Sequence, residues 1–400
     1  MSGTPLCDEL LKGVAVVIDD EVGKSSSDIA HLIEEIEKRN IPCLKYSELP
    51  DNSVIENFSD VPFIILDWKF GSEDGVTVSQ YQVEDNIAFI RDVRKYCFVP
   101  IFIFTNKGLD DLEEDLRSHN ASDFVGDSMI FLKNKSELID GKLFDEIEEW
   151  LKSTPSAYVI KKWAFEYKKA KISMFNDLYS KSKNWPSVFW KGYVTDSTNP
   201  SDELSEMLMK NLQGRFSNIK FDEQVINQHI SESGNGEDLH KVWEGAYFIP
   251  NASLDENTVK PGDVFLINGE YFINIKPECD CVIRNDNELE LYLIEGKICS
   301  KNNIGNLLKS RNDNGTKRWE TNRNNDGGHA CFGICGSKDI NFKFKSFKIM
   351  DWTLIKNCRI GRLTQPFIGI IQQKFASHIQ RIGLPPLPYE LGEYIHNKYK

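Results

Sequence analysis

The sequence predicts an α/β fold at its N-terminus, a doubly wound sheet of five parallel strands. A helical segment and a small antiparallel β domain with a C-terminal helix are predicted to follow. Short apolar runs alternate with amphipathic helical patterns up to about residue 153. Pro155 ends this alternation, and a long helical pattern follows it. Beyond residue 244, apolar and polar residues alternate around turn signals, and we predict one β-hairpin at Asn268-Gly269 and a second that joins 281–284 to 290–294 across 285–287.

The clearest strand is the apolar run 63–66, which ends in Asp67. It is too short for a helix, and a central strand of a parallel sheet is apolar throughout because both of its faces are covered. Functional groups in such sheets collect at the carboxyl ends of the strands. Asp67 is therefore the first candidate functional residue.

The other elements of this part follow from periodicity and turn signals. In chain order we predict a strand at 14–18, a helix capped by 25–27, a strand at 43–46, a helix around 89–93, a strand at 100–105, a helix at 109–116, a strand at 128–133 and a closing helix at 144–151. Strands that alternate with helices in this way predict parallel pairing.

Polar residues stand at the carboxyl ends of four of these strands. They are Asp19 and Asp20 on the first, Asp67 on the third, Thr105 on the fourth and Lys133 on the fifth. Three converging carboxylates repel one another unless a cation lies between them, and Mg²⁺ prefers such oxygen ligands. One carboxylate could then attack a phosphoryl group, while the metal and the lysine neutralise charge on the transferred oxygens.

This set of residues resembles the receiver domain of two-component response regulators. The resemblance implies a flavodoxin-like receiver fold in which Asp67 is the phosphoacceptor. It also implies that Asp19, Asp20, Asp67 and the backbone carbonyl of Lys69 bind Mg²⁺, that Thr105 is the switch hydroxyl, and that Lys133 contacts the phosphoryl group. A single acid at a strand end is common in doubly wound sheets, but the complete set favours the receiver interpretation.

The chain departs from the receiver pattern at several positions. Asn134 follows the lysine where the family usually has a proline, and Ile130 stands where the family often has an aromatic residue. The loops after Asp67 and before Lys133 are longer than usual. These differences indicate a divergent receiver, and they bear on the signalling switch more than on phosphorylation.

Two further sets of residues lie in the C-terminal part. Asp280, Glu295 and Lys297 have the order of a PD-(D/E)xK nuclease, in which the acids would hold a metal and the lysine would help to activate water. However, a hairpin rather than a helix precedes Asp280. Five potential zinc ligands, Cys279, Cys281, His329, Cys331 and Cys335, do not have the spacing of a regular zinc knuckle, and buried free thiols are the favoured interpretation.

Composition excludes several classes of protein. The formal net charge of -13 argues against a general binder of nucleic acid or anionic membranes. The lysines of the predicted helix after Pro155 (Lys161, Lys162, Lys168, Lys169, Lys171) are accordingly interpreted as a solvated face. No apolar run approaches the ~20 residues of a membrane span, and no secretory signal is evident. Nine cysteines, mostly in apolar segments, predict free thiols in a reducing cytoplasm.

Residues 259–281 and the closing stretch from Arg359 to about residue 385 look similar to uncharacterised C-terminal regions of bacterial receiver-like proteins. Some of those belong to Detocs-type anti-phage modules, but the resemblance implies no catalytic residues. We predict three segments: a receiver domain (1–153), a helical linker or domain (154–243) and a β-rich output or interaction domain (244–400).

The resulting hypothesis is a signalling protein rather than an enzyme. It would accept a phosphoryl group on Asp67 from a histidine kinase or phosphotransfer protein, as a regulator or a phosphate sink in a defence system. A second copy of the chain is a further candidate partner. Two alternatives stay open: a receiver-gated effector enzyme with a C-terminal nuclease site, and a pseudo-receiver that works without phosphorylation.

Overall fold

Two structural units make up the chain in this computed structural model. It describes residues 5–58, 61–68, 80–105, 108–138, 141–195, 199–216, 219–227, 236–283, 289–300, 308–313, 316–321, 327–334, 336, 338–381 and 387–399. The first unit comprises Met1–Trp185 and Glu206–Glu232, and the second comprises Pro186–Ser205 and Ser233–Lys400. The predicted boundaries at 153 and 243 do not coincide with this division.

The first unit contains the predicted parallel sheet. Its strands are β1 (Ala15–Ile18), β2 (Cys43–Tyr46), β3 (Ile64–Asp67), β4 (Ile101–Thr105) and β5 (Ile130–Asn134). They pair in the order β2-β1-β3-β4-β5, and every pair is parallel. The α/β class predicted for this part is confirmed. The strands that precede Asp19 and carry Asp67 are direct neighbours at the centre of the sheet.

Helices connect these strands and continue beyond them. They are α1 (Leu6–Leu10), α2 (Asp28–Lys38), α3 (Asn52–Ile55), α4 (Gln80–Tyr96), α5 (Leu109–Ser118), α6 (Lys135–Leu138), α7 (Leu143–Ser153), α8 (Pro155–Lys181), α9 (Trp185–Thr195), α10 (Pro200–Phe216) and α11 (Glu223–Asn227). Of these, α9 after its first residue and the start of α10 up to Ser205 are assigned to the second unit. Alternate residues of β1 pack into different clusters. Val17 lies with Leu32 of α2, whereas Val16 lies with Ile90 of α4. Both faces of the sheet are thus covered, which explains the uninterrupted apolar strands.

Helix α8 belongs to the first unit rather than to a separate linker. Tyr158 is buried together with Leu10 and Val225, and its hydroxyl accepts a hydrogen bond from the Asp222 amide at 2.8 Å. Lys161 is also buried, and its amine donates to the Pro62 carbonyl at 2.7 Å. The prediction of a solvated lysine face is therefore wrong for Lys161, because this side of α8 packs against the unit.

The second unit contains an antiparallel sheet of seven strands. They are β6 (Phe248–Pro250), β7 (Asp263–Ile267), β8 (Glu270–Asn274), β9 (Glu290–Ile298), β12 (Gly328–Ile334), β13 (Lys338–Asp351) and β14 (Arg359–Leu363), in the order β12-β13-β9-β8-β7-β14-β6. A separate hairpin joins β10 (Leu308–Asp313) to β11 (Thr316–Thr321). Helices α12 (Gly236–Tyr247), α13 (Trp352–Ile355), α14 (Phe367–Ile379) and α15 (Tyr389–Lys398) complete the unit.

One of the two predicted hairpins is confirmed in this sheet. β7 pairs with β8 across Asn268-Gly269, and both turn residues have the positive φ that a type I′ turn needs. The second predicted hairpin is wrong as far as the structure describes it, since residues 281–283 form no strand; its turn, 285–287, lies outside the described residues. β9 pairs with β8 and β13 instead, because the chain after β8 forms a 3₁₀ turn (Glu278–Asp280) and Cys281 is buried beside Leu291.

The sheet is open in the part of the chain that the structure describes, with β12 and β6 at its edges. Helix α12 contacts both edge strands. Its His240 lies 2.9 Å from the Asp339 carboxylate, and the Glu244 carboxylate accepts from the Gly336 amide at 2.7 Å. Among the described helices of the chain, none has both the length and the apolar character that crossing a membrane requires.

Candidate phosphoacceptor and metal site

Three aspartates converge at the carboxyl edge of the parallel sheet. Asp19 directly follows β1 and Asp67 ends β3, and these strands pair with Ile18 opposite Leu66. One carboxylate oxygen from each of Asp19, Asp20 and Asp67 lies within 4.8 Å of the others. Asp19 and Asp67 are buried, whereas Asp20 is more exposed. The structure thus brings together the three acids that the sequence singled out.

Asp19 is held in place by the turn that follows it. One of its carboxylate oxygens accepts from the Glu21 amide at 2.8 Å, and its carbonyl accepts from the Val22 amide at 3.2 Å. The other carboxylate oxygen accepts from the Lys135 amine at 2.7 Å. The orientation of this carboxylate is therefore fixed before any ligand arrives.

Lys135 is the basic residue of the site. Its amine lies 2.7 Å from Asp19 and 3.1 Å from Asp67, and the side chain is buried. Burial alone would lower the pKa of this amine, but the neighbouring Asp67 and Asp19 carboxylates outweigh that effect and the pKa is raised. Lys135 therefore stays charged and bridges two of the three acids.

Lys133, which the sequence analysis assigned to this role, lies elsewhere. Its amine is 2.7 Å from Glu146 of α7 and 3.8 Å from Glu137. The reason is that β5 continues to Asn134, so Lys133 lies opposite Phe104, before the strand ends. Its side chain is on the α7 side of the sheet with Phe131. The predicted contact between Lys133 and the site is therefore wrong, and Lys135 makes that contact instead.

The sequence does contain a signal that places Lys135, rather than Lys133, at the carboxyl end of β5. The Asn134 side chain accepts from the Ser136 amide at 3.1 Å, as the cap of α6. Asn134 followed three residues later by Glu137 is a helix-start signature, which would have ended the strand at Asn134. The lysine at the carboxyl end of the strand is then Lys135.

Thr105 and Trp68 are neighbours of Asp67, the first at the end of the adjacent strand and the second as the next residue in the chain. Thr105 ends β4, is buried, and follows Phe104, which pairs with Asp67. Trp68 is fully buried; its amide donates to the Phe104 carbonyl at 3.4 Å and its carbonyl accepts from Asn86 at 3.0 Å. These bonds fix the backbone directly after Asp67. Lys69, whose carbonyl was predicted to contact the metal, lies outside the described residues.

The donor set fits a hard metal cation. Three carboxylates and one ammonium give the site a formal charge of about -2, which a divalent cation would neutralise. All the candidate ligand atoms are oxygens, and the exposure of Asp20 gives an ion access from solvent. In the described ranges of the chain, this is the only group of three or more potential metal-ligating side chains.

The predicted nuclease residues do not form such a group. Glu295 pairs with Phe272 within the β8–β9 ladder, whereas Asp280 lies in the exposed 3₁₀ turn beyond the end of β8. The Lys297 amine lies 3.4 Å from the Glu295 carboxylate. The two residues on β9 therefore make an ordinary ion pair.

The described members of the proposed zinc set are also separated. Cys281 packs in the cluster with Leu291 and Trp352, whereas Cys331 packs in a different cluster with Ile340 and Phe342. The His329 ring nitrogen contacts the Lys374 amine at 2.9 Å. Cys279 is exposed and contacts Asp280, and Cys335 lies outside the described residues.

Comparison with known proteins gave no match, either to a protein-family model or to a curated protein. The function has to be inferred from the geometry of the chain's own residues.

Proposed function

We propose that the first unit is a receiver-like phosphoacceptor in which Asp67 accepts a phosphoryl group. In this proposal Asp19, Asp20 and Asp67 bind Mg²⁺. The observation that carries it is the convergence of three carboxylates within 4.8 Å, two of them bridged by Lys135. An ion pair that served only to stabilise the fold would not need the third acid. The Asp20 carboxylate repels the other two carboxylates, and its side chain is not buried in the core.

The chemistry follows from the positions of these groups. An oxygen of Asp67 forms a bond to phosphorus while the bond from phosphorus to the donor's nitrogen breaks, and the donor keeps the electron pair. Asp19, Asp20 and Asp67 would hold Mg²⁺, which would stabilise the negative charge on the phosphoryl oxygens. Lys135 lies 3.1 Å from Asp67 and can donate to a transferred oxygen, and the Thr105 hydroxyl lies on the adjoining strand. The receiver resemblance makes a histidine kinase or phosphotransfer protein the donor.

Phosphorylation with a small-molecule donor tests the proposal directly. The full chain is incubated with acetyl phosphate and Mg²⁺, and intact mass spectrometry counts the added phosphoryl groups. We expect one group on the wild type and none on Asp67→Asn or in the presence of a chelator. Asp127→Asn is the matched control, because Asp127 is in the same unit but pairs with Arg94 at 2.7 Å; it should label like the wild type.

Equal labelling of Asp67→Asn and the wild type would contradict the assignment. The pseudo-receiver alternative makes a different prediction, which beryllofluoride, a phosphoryl mimic, can test. Trp68 is adjacent to Asp67, so binding of the mimic with Mg²⁺ should change tryptophan fluorescence, and Trp68→Phe should remove most of that change. A phosphorylation-independent partner domain would show no such response.

A further inference from the structure

A cavity of about 750 Å³ lies at the amino ends of the strands in the first unit. Gly13 precedes β1, Pro62 precedes β3 and Val99 precedes β4, and all three line it together with one side of α8. The three aspartates lie at the carboxyl ends of the same strands. The cavity is therefore at the opposite edge of the sheet from the proposed phosphoacceptor.

The interior of this cavity is apolar. Val61 is nearly fully buried, and Leu10, Ile160, Phe165 and Ile172 contribute further apolar surface. Its volume falls within the range of roughly 300–1,000 Å³ that is typical of pockets for small organic molecules. It could hold a hydrocarbon chain or a ring of moderate size.

Lys161 supplies a buried cation in the wall of the cavity. Only 7% of its surface is exposed, and its amine donates to the Pro62 carbonyl, which carries no net charge. Among the described residues, no carboxylate forms an ion pair with it. Burial, and to a lesser extent Lys168, lowers the pKa of Lys161 to about 8, so the amine is mostly charged at neutral pH. A buried ammonium without a counter-ion is costly.

More lysines surround the opening. Lys12, Lys168, Lys169 and Lys171 line the cavity, and of these only Lys169 has a described ion-pair partner, Glu166 at 3.8 Å. Lys12 lies 5.8 Å from the centre of the Phe165 ring, and Lys171 lies 5.9 Å from that of Tyr167. A cation-rich rim around an apolar interior attracts anions in a chain whose net charge is -13.

We propose that this cavity binds a small amphiphilic organic acid, with its apolar body inside and its anionic group paired with Lys161. Charge complementarity favours this occupant over a neutral apolar molecule, because the anion would supply the counter-ion that none of the described residues gives Lys161. The volume of about 750 Å³ matches a small molecule rather than a peptide helix. The proposal does not depend on phosphorylation of Asp67.

Calorimetric titration of the full chain with decanoate and with decanol tests the role of charge. The two probes share an alkyl chain and differ in the head group. We expect decanoate to bind at least about tenfold more tightly, because its carboxylate can pair with the Lys161 amine whereas the hydroxyl of decanol carries no charge. Equal affinities would overturn the proposal, as would binding of an acidic peptide without binding of decanoate.

Variants locate the binding site. Lys161→Met should weaken decanoate binding at least about tenfold and leave decanol binding unchanged. Replacing a buried charge by an apolar side chain of similar length usually preserves folding. Lys181→Met is the matched control on the same helix; Lys181 is exposed and does not line the cavity, so its loss should change affinity less than about threefold.

A second variant keeps the test informative if Lys161→Met misfolds. Ala164 is exposed and lines the cavity, so Ala164→Trp should obstruct the cavity without disturbing the core. It should reduce the binding of both probes. Binding that survives both substitutions would show that the probes occupy another surface, such as the aromatic groove beside Phe347 and Phe375 in the second unit, and the proposal would be wrong.

Discussion

Two lysines that are two residues apart have opposite surroundings. Lys135 is buried between Asp19 and Asp67, whereas Lys133 pairs with Glu146 near the surface. Removal of Lys135 takes away the ammonium group that bridges two buried carboxylates, whereas removal of Lys133 breaks only a solvated ion pair. These residues therefore form a matched pair for experiment.

We predict that Lys135→Ala destabilises the metal-free protein by about 3 kcal/mol, because breaking a buried ion pair leaves charge uncompensated. Lys133→Ala should change the free energy of unfolding by less than ~1 kcal/mol. Urea unfolding monitored by circular dichroism measures both. Mg²⁺ should recover part of the loss in Lys135→Ala, since the metal replaces the missing positive charge. Similar losses in the two variants would contradict the assignment of Lys135.

His329 predicts a pH dependence for the second unit. Burial, and then the nearby Lys374 amine, lower the pKa of His329 to about 4, whereas an unfolded histidine titrates near 6.5. Between these values the unfolded chain binds more protons than the folded one. Stability from this residue is therefore complete above pH ~6.5 and is lost as the pH falls towards 4.

The corresponding variant is His329→Gln, which cannot become charged. The loss of stability between pH 6.5 and pH 4 should be about 2–3 kcal/mol smaller in this variant than in the wild type. Unfolding curves at a series of pH values measure it. His396→Gln is the control because His396 is exposed in α15; it should keep the acid sensitivity of the wild type.

At the scale of secondary-structure elements, the pairing of β9 with β13 depends on a close approach at Gly296. A Cβ atom there would lie 2.6 Å from an Ile340 methyl group and 2.8 Å from the Phe342 ring. By contrast, a Cβ atom at Gly214 of α10 would meet nothing within 4 Å. The same substitution should therefore have opposite effects in the two elements.

Gly296→Ala should destabilise the protein by about 1–3 kcal/mol, because the sheet must shift to admit the methyl group. Gly214→Ala should stabilise it by about 0.5–1 kcal/mol, since alanine is the better residue within a helix. Thermal denaturation of both variants beside the wild type gives the two values. A stabilising Gly296→Ala would show that β9 and β13 are farther apart than described.

At the scale of the whole molecule, the sequence predicts which helices and strands form better than it predicts the residues at which they begin and end. The apolar run before Asp67 identified β3 because its two covered faces leave no polar position. Lys135 was missed because one further strand residue, Asn134, changes which lysine reaches the edge of the sheet. Lys161 was misassigned because a lysine-rich pattern does not reveal which side of α8 packs on the unit. Such errors arise where tertiary contacts override local pattern.

The division into two units predicts which peptides become protected from hydrogen exchange when a metal binds. Mg²⁺ should slow hydrogen exchange in peptides that contain the carboxyl ends of β1 and β3, because it joins Asp19, Asp20 and Asp67. Peptides from β7 and β8 should be unaffected. Hydrogen exchange with mass spectrometry measures this, and Asp20→Asn should reduce the effect. Protection that is equal in both units would argue against a local site.

The strand β3 is held by ammonium groups at both of its ends. Lys161 donates to the carbonyl of Pro62 just before the strand, and Lys135 pairs with Asp67 at its end. The residues between, Ile64, Ile65 and Leu66, are aliphatic and similar in shape, so packing alone distinguishes poorly between strand registers. A slip of two residues that moves Ile65 to the position of Asp67 would keep each face apolar, yet it would remove both polar contacts at once. The two lysines therefore fix the register of β3 relative to its neighbouring strands.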